Sequence, residues 1–312
     1  MVQPGPSIQF VAGGVGLMAP NYLVGLIGES IEHSLTPDLH MTEARNLGLD
    51  YEYRIIDLLQ PELQGMEIAE VLEAASKSGY RAVNVTHPFK QQALPHLASV
   101  SDEVADIGAT NLVIAPGAKA HGENTDWSGF EFALRQSIPS AERDLVLQVG
   151  AGGAGGATAY ALLKWGVKRL VLTDINLARA DELVSKYQSR FPGTQIIALP
   201  MTRALALLSQ VDGVVQATPI GMYGHPGMPF EIKTLNPLAW VADVVYRPIE
   251  TELLMQAREA GHVVVSGGWM ALGQAVDSLR LITGLEPDVA RMRKHFLELL
   301  EDETALTRAR GI

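Results

Sequence analysis

One run of residues constrains this chain more than any other: Gly150-Ala151-Gly152-Gly153-Ala154-Gly155-Gly156. It follows an apolar stretch over 145–149 and opens a helical pattern over 157–165, so it satisfies G-x-G-x-x-G inside a strand–turn–helix unit. Gly150 permits the tight turn, Gly152 lets backbone approach a pyrophosphate, and Gly155 allows close helix packing. Free N–H groups at the helix start attract the phosphate charge. Gly150, Ala151, Gly152, Gly153, Ala154 and Gly155 are therefore expected to hold a dinucleotide; a plain glycine-rich turn is the alternative, and the flanking strand weighs against it. An acidic residue closing the next strand should meet the adenosine ribose, and Asp174 follows the apolar run 170–173. A carboxylate there repels the 2′-phosphate of NADP, and Ile175, Asn176 and Leu177 supply no guanidinium to offset it. NAD is the expected cofactor, with Arg179 leaving NADP as the less favoured one. The competing reading of Asp174 is a solvated turn residue.

The 312 residues exceed one typical domain, at roughly 150 residues per domain. Strands are expected over 22–27, 51–56 and 81–85, with helices over 37–46 and 61–77 between them. In the second of these, Leu63, Met66, Val71, Leu72 and Ala75 fall at helical spacing. A second alternating series has strands over 145–149, 170–173, 195–199, 213–216, 240–245 and 262–265. Such alternation implies parallel sheets covered by helices. The fold class is α/β in two lobes: an N-terminal parallel-sheet α/β domain over 1–125 and a Rossmann-type dinucleotide-binding domain over 126–270. Residues 271–312, with helices over 270–283 and 287–300, are expected to return to the first lobe, making a hinged pair.

Hydrophobic residues make up 47% and charged ones 19%, ordinary globular usage. The net charge of −11 repels phosphate backbones and anionic lipid, so neither nucleic acid nor membrane is an expected partner. No cysteine is present, which excludes disulfides, zinc–thiolate sites, iron–sulfur clusters and a thiol nucleophile, and suits a reducing cytoplasm. The eight histidines occur singly, His33 and His87 among them, without metal-ligand spacing, so no metal is expected. Residues 1–28 carry no charged side chain, but the missing basic start and the breaks at Gly13, Gly14, Gly16 and Pro20 argue for a loose leader rather than a secretory signal.

Thr86-His87-Pro88-Phe89-Lys90 follows a predicted strand, and Pro88 suits the first position of a helix. That places Lys90 in a first helical turn, where the helix dipole disfavours a cation and lowers its pKa. Taken alone Lys90 reads as a surface lysine; the wrong helix end and the neighbouring motifs are what favour a functional role.

At this point the chain resembles the shikimate dehydrogenases, and within them the group of bacterial quinate/shikimate dehydrogenases. The resemblance rests on GESIEHSLTPDLH over 28–40, NVTHPFK over 84–90, GATN over 108–111, Asn124-Thr125-Asp126 and the glycine turn. It continues with ATPIGM over 217–222, DVVYRPIET over 243–251 and GGWMALGQA over 267–275. It implies reversible oxidation of the ring 3-hydroxyl of shikimate, or the corresponding hydroxyl of quinate, to a ketone, with hydride passing to a nicotinamide. Lys90 matches the family's catalytic lysine and Asp126 the aspartate beside it. Oxidation of an alcohol must shed a proton, and a lysine of lowered pKa serves as base, although a neighbouring carboxylate pulls its pKa the other way. As a lone residue Asp126 also reads as a helix N-cap.

The resemblance further implies that Ser34 and Thr36 hold the substrate carboxylate, and two residues apart in an extended segment they point the same way. Thr36 before Pro37 also reads as an N-cap with proline at N1. Many strict shikimate enzymes carry Ser-x-Ser here, so Thr36 is similar to members that also take quinate. Thr86 and Asn111 would contact ring hydroxyls, Gln274 would close the pocket from the second lobe's last helix and Tyr246 would lie near the substrate, while Thr218, Met222, Val244, Gly267 and Met270 would line the nicotinamide half. For Val244, Met222 and Met270, core packing is the competing reading. Trp269 has no role in this scheme.

The expectation is an NAD-preferring dehydrogenase of quinate and shikimate, monomer or homodimer, binding in a cleft between two lobes. The rivals are a strict shikimate or aminoshikimate dehydrogenase using NADP, and a non-catalytic dinucleotide sensor; Lys90 together with Asp126 argues against the latter.

Overall fold

The computed structural model describes residues 20–309. The reading of 1–19 as a loose leader lies outside the described residues. The chain divides into two compact units, one running to Asn124 and resuming at Ser278, the other Thr125–Asp277.

The first unit begins with β1 (Tyr22–Gly28), α1 (Thr36–Asn46), β2 (Tyr51–Asp57), α2 (Ile68–Lys77) and β3 (Ala82–Val85). A 3-10 turn at Leu94–His96, β4 (Ser99–Val100), α3 (Asp102–Ile107), β5 (Leu112–Ile114) and β6 (His121–Glu123) follow. The sheet order is β2-β1-β3-β5-β6-β4. β1 pairs in parallel with β2 and β3, as the alternating pattern predicts. β5 and β6 then run antiparallel, in strands too short to announce themselves in sequence. Both faces of β1 are covered, which is why it reads as a continuous apolar run. Ile27 packs with Ile56, Val71 and Val83 in one core cluster, Val24 and Leu26 with Tyr53 and Leu112 in another.

The helix expected over 61–77 starts only at Ile68. Gly65 adopts φ +84, which no helix continues through, and Glu67 and Glu70 form a reciprocal capping box that fixes the start.

The second unit comprises α4 (Thr125–Ser137), β7 (Leu145–Val149), α5 (Gly153–Trp165), β8 (Arg169–Thr173), α6 (Leu177–Gln188) and β9 (Gln195–Ala198). It continues with α7 (Met201–Leu205), β10 (Gly213–Gln216), β11 (Trp240–Asp243), α8 (Glu252–Glu259), β12 (Val264–Val265) and the first part of α9 (Gly267–Thr283). The sheet order is β12-β11-β10-β7-β8-β9 with every pairing parallel. This is a doubly wound sheet whose strand order reverses between β7 and β10, the switch point at whose carboxyl ends such sheets bind ligands.

α4 and α9 cross at glycines. A Cβ on Gly129 would sit 2.6 Å from the Met270 carbonyl oxygen and 2.7 Å from the Gln274 nitrogen, and one on Gly273 would sit 3.0 Å from Gly129 Cα. Beyond α9, α10 (Val289–Ala309) belongs to the first unit. There the buried Glu43 of α1 accepts from the Arg291 guanidinium at 2.6 and 2.7 Å and from the Asp288 N–H at 2.8 Å.

Candidate active site

In the second unit the glycine turn follows β7 at the switch point. Gly150 adopts φ +105, and a Cβ there would lie 2.5 Å from the Ala217 carbonyl oxygen; one on Gly155 would lie 2.5 Å from the Gly150 carbonyl oxygen. Both positions demand glycine because the turn folds back on itself and onto the loop after β10. Nothing lies within 4 Å of where Cβ atoms of Gly152 or Gly153 would stand. α5 begins at Gly153, earlier than the 157–165 pattern suggests, with Gly152 as N-cap. Its first N–H groups therefore have no intrahelical partner, the arrangement that favours an anion at a helix start.

Asp174 stands just past β8, and its carboxylate accepts the Ala151 N–H at 2.8 Å and the Asn176 N–H at 2.8 Å. The acid is thus tied to the turn itself, with Ile175 beside it 94% exposed. On the loop after β10, Thr218 is half-buried and Met222 is exposed, whereas Met270 is buried. Met270 thus has the burial of a packed core residue, and Met222 does not. Val244 follows β11 and donates its N–H to the Gln216 carbonyl at 3.0 Å, and Gly267 opens α9. Half-buried Tyr246 lies two residues further along that loop, and burial raises its phenol pKa, keeping it neutral.

Asp126, buried, is the second residue of α4 rather than its N-cap, and a carboxylate in a first turn is favoured by the helix dipole. Gln274, half-buried, follows the Gly129–Gly273 crossing on α9, so one helix pair of this unit carries both residues.

In the first unit, polar groups gather at the ends of β1 and β3. Thr86 follows β3 and donates its N–H to the Ile27 carbonyl at 2.9 Å; buried Asn111 precedes β5 and accepts the Val85 N–H at 2.8 Å. The expected helix around Lys90 does not form. A helix needs the Lys90 carbonyl for the Leu94 N–H, but that carbonyl accepts from the Thr110 N–H at 2.9 Å and Leu94 donates to Gln91. Half-buried Lys90 therefore stands on successive turns, and no helix dipole acts on it from its own segment. The turn is instead tied to the residue preceding Asn111.

Ser34 and Thr36 are not on an extended segment. Thr36 is the first residue of α1, Leu35 is the N-cap without side-chain capping, and Pro37 takes the second position. The two hydroxyl residues meet because Ser34 Oγ accepts the Thr36 N–H at 3.3 Å.

Several residues that shape these loops escaped the sequence reading. Gln148, fully buried in β7, donates its amide to the carbonyls of Gly150 and Gly155, both at 2.8 Å, and accepts from Thr158 Oγ1 at 2.9 Å. Gln216 at the end of β10 donates to the Thr218 and Ile220 carbonyls, at 3.0 and 2.7 Å. Asp243 ends β11 and accepts the Val245 N–H at 2.9 Å and the Thr251 hydroxyl at 2.7 Å. Asp57 ends β2 in the same manner. For Gln148, Gln216 and Asp243 the available signal was a single polar residue in or at the end of an otherwise apolar strand, which requires a hydrogen-bonding partner; β2 carries Glu52 and Arg54 as well and gave no such signal for Asp57. Among the described residues, no group of His, Asp and Glu is arranged to hold a metal, and no helix is long and apolar enough to cross a membrane.

A doubly wound sheet with a glycine turn at its switch point and an acid tied to that turn defines a dinucleotide-binding α/β protein. Residues 26–113 match the family model described as the shikimate dehydrogenase substrate binding domain. A shikimate dehydrogenase (NADP(+)) of Arthrobacter sp. is 46% identical over 285 residues, 91% of this chain and 97% of that protein. A quinate/shikimate dehydrogenase (NAD(+)) of Corynebacterium efficiens is 44% identical over 278 residues, 89% of this chain and 98% of that protein. Among solved structures, the quinate dehydrogenase of Corynebacterium glutamicum in complex with NAD superposes with a TM-score of 0.85 at 43% identity, covering 89% of this chain and 99% of that one. The chain belongs to the shikimate dehydrogenase family, oxidoreductases that act on CH–OH groups with a nicotinamide dinucleotide.

Proposed function

We propose that the protein is an NAD-dependent quinate/shikimate dehydrogenase. It oxidises the ring 3-hydroxyl of shikimate to 3-dehydroshikimate and the corresponding hydroxyl of quinate to 3-dehydroquinate, reversibly. The observation that carries the cofactor choice is Asp174, whose carboxylate is fixed against the Ala151 N–H of the glycine turn. A negative charge held there hydrogen-bonds ribose hydroxyls and repels a 2′-phosphate. The second unit, in this reading, is the dinucleotide domain: Gly150 through Gly155 cradle the pyrophosphate, and Thr218, Met222, Val244, Gly267 and Met270 line the nicotinamide half.

The first unit supplies most of the substrate contacts. Ser34 and Thr36 hold the carboxylate through their hydroxyls, Thr86 and Asn111 pair with ring hydroxyls, and Gln274 and Tyr246 contribute from the second unit. A site built to pair with hydroxyls rejects molecules that lack them. Bound nicotinamide dinucleotide supplies the hydride acceptor. The neutral Lys90 amine takes the hydroxyl proton as the carbon gives up its hydride, becoming ammonium, and returns the proton in the reverse direction; Asp126 orients the Lys90 side chain and shares the substrate hydroxyl.

The likeness to the Arthrobacter protein supports a second reading, an NADP-dependent shikimate dehydrogenase. Following reduced-nicotinamide absorbance with quinate and shikimate, each with NAD and NADP, separates the two. The proposal expects turnover of both polyols with NAD the better cofactor; turnover of shikimate alone with NADP preferred would replace it by the second reading.

A further inference from the structure

We propose that Asp57 is a positioning residue for substrate binding: its buried carboxylate holds the loop that presents Ser34 and Thr36. The inference rests on the assignment of those two hydroxyls to the substrate carboxylate.

Asp57 is the last residue of β2 and only 2% exposed. Its Oδ1 accepts the N–H groups of Ser30 at 3.2 Å and Leu59 at 3.0 Å, and its Oδ2 accepts the Ile31 N–H at 2.8 Å. These bonds carry the charge of an ionised acceptor and are stronger than neutral ones. They hold a segment that does not lie flat, since Ser30 takes φ +57, a left-handed conformation unusual for a residue with a side chain. From Asp57 the bonding continues along the loop. The Ile31 carbonyl accepts the Ser34 N–H at 3.0 Å, and Ser34 Oγ accepts the Thr36 N–H at 3.3 Å. The carboxylate is thus the root of a relay that ends on Ser34 Oγ and the Thr36 backbone. A loop ordered before binding spares the ligand the entropy of ordering it, and that saving appears as affinity. Asp57 therefore acts on polyol binding, and not on hydride transfer or on dinucleotide binding.

Asp57→Asn tests this with minimal change of shape. Its amide oxygen can replace Oδ1, but its NH2 then faces the Ile31 N–H, donor against donor, so the first link of the relay breaks. The expected result is a rise of about tenfold in KM for both quinate and shikimate. kcat should change by less than about threefold, and KM for NAD should stay as in the wild type. In a Ser34→Ala/Thr36→Ala background, adding Asp57→Asn should raise KM no further, because the groups it positions are gone.

A Ser34→Ala/Thr36→Ala protein with wild-type KM values would overturn the carboxylate assignment beneath the proposal. A raised KM in that protein, with unchanged KM in Asp57→Asn, would overturn the role of Asp57 alone. So would an Asp57→Asn enzyme in which kcat and both KM values deteriorate together, the pattern of a merely structural residue. Hydrogen exchange on the unaltered enzyme covers the case in which the variant does not fold. Without substrate, the Ile31 and Ser34 amides should already be protected, and exchange as fast as an open loop until substrate is added would refute the proposal.

Discussion

At the residue scale the reading turns on single charges and what holds them. If Lys90 is the acid/base group, Lys90→Ala loses roughly 10²–10⁴-fold in kcat while quinate affinity stays within a few fold. Steady-state rates with a binding titration check this, and an alanine variant with wild-type turnover removes the assignment. Asp174→Ala should narrow the preference for NAD over NADP, measured as the ratio of the two kcat/KM values; a ratio left intact would mean that another group sets it. The bonds from Ala151 and Asn176 to Asp174 explain why the substitution also loosens the turn, so some loss of NAD affinity should accompany the change. The glycine turn and Asp174 were legible because motif spacing exposes them, and the other candidate site residues through the family resemblance. The buried Gln148, Gln216, Asp57 and Asp243 were not, because their hydrogen bonds go to the protein's own loops and side chains, and their meaning appears once those loops are placed.

At the element scale the doubly wound unit was readable nearly strand for strand, since buried parallel strands are apolar runs and the glycine turn fixes where the order starts. The first unit was less legible. β5 and β6 are three residues each, below the length at which alternation is informative. The segment after Pro88 has the composition of a helix start, yet a hydrogen bond from Thr110, distant in sequence, claims the carbonyl that a helix needs. Local signals cannot register such competition. The crossing of α4 and α9 gives a prediction at this scale: Gly129→Ala drives a methyl group to 2.6 Å from the Met270 carbonyl. The helices must part, which should cost about 1–3 kcal/mol of stability. Urea unfolding measures it, and a variant as stable as the wild type would show that the crossing can yield freely.

At the scale of the whole molecule, stability should depend on pH through Asp243. Burial pushes its carboxyl up to about 6 from the usual 3.8 of an aspartate, although the bonds from Val245 and Thr251 pull it down. The folded state therefore binds this proton more tightly than the unfolded chain, so the stabilisation is complete below about pH 4 and is lost as pH rises through about 6. Relative to Asp243→Asn, the wild type should lose on the order of 1–3 kcal/mol of unfolding free energy across that window. Chemical denaturation at each end reads it, and a difference that does not vary with pH contradicts it.

The tie between α1 and α10 bears on how the chain is made. Glu43 and Arg291 are 248 residues apart, with the entire second unit encoded between them. A ribosome releases the glutamate before the second unit and its guanidinium partner only after it. Until α10 is made Glu43 lacks both the guanidinium and the Asp288 N–H that it accepts from in the finished fold, so this tie of the first unit closes only after the second has been translated.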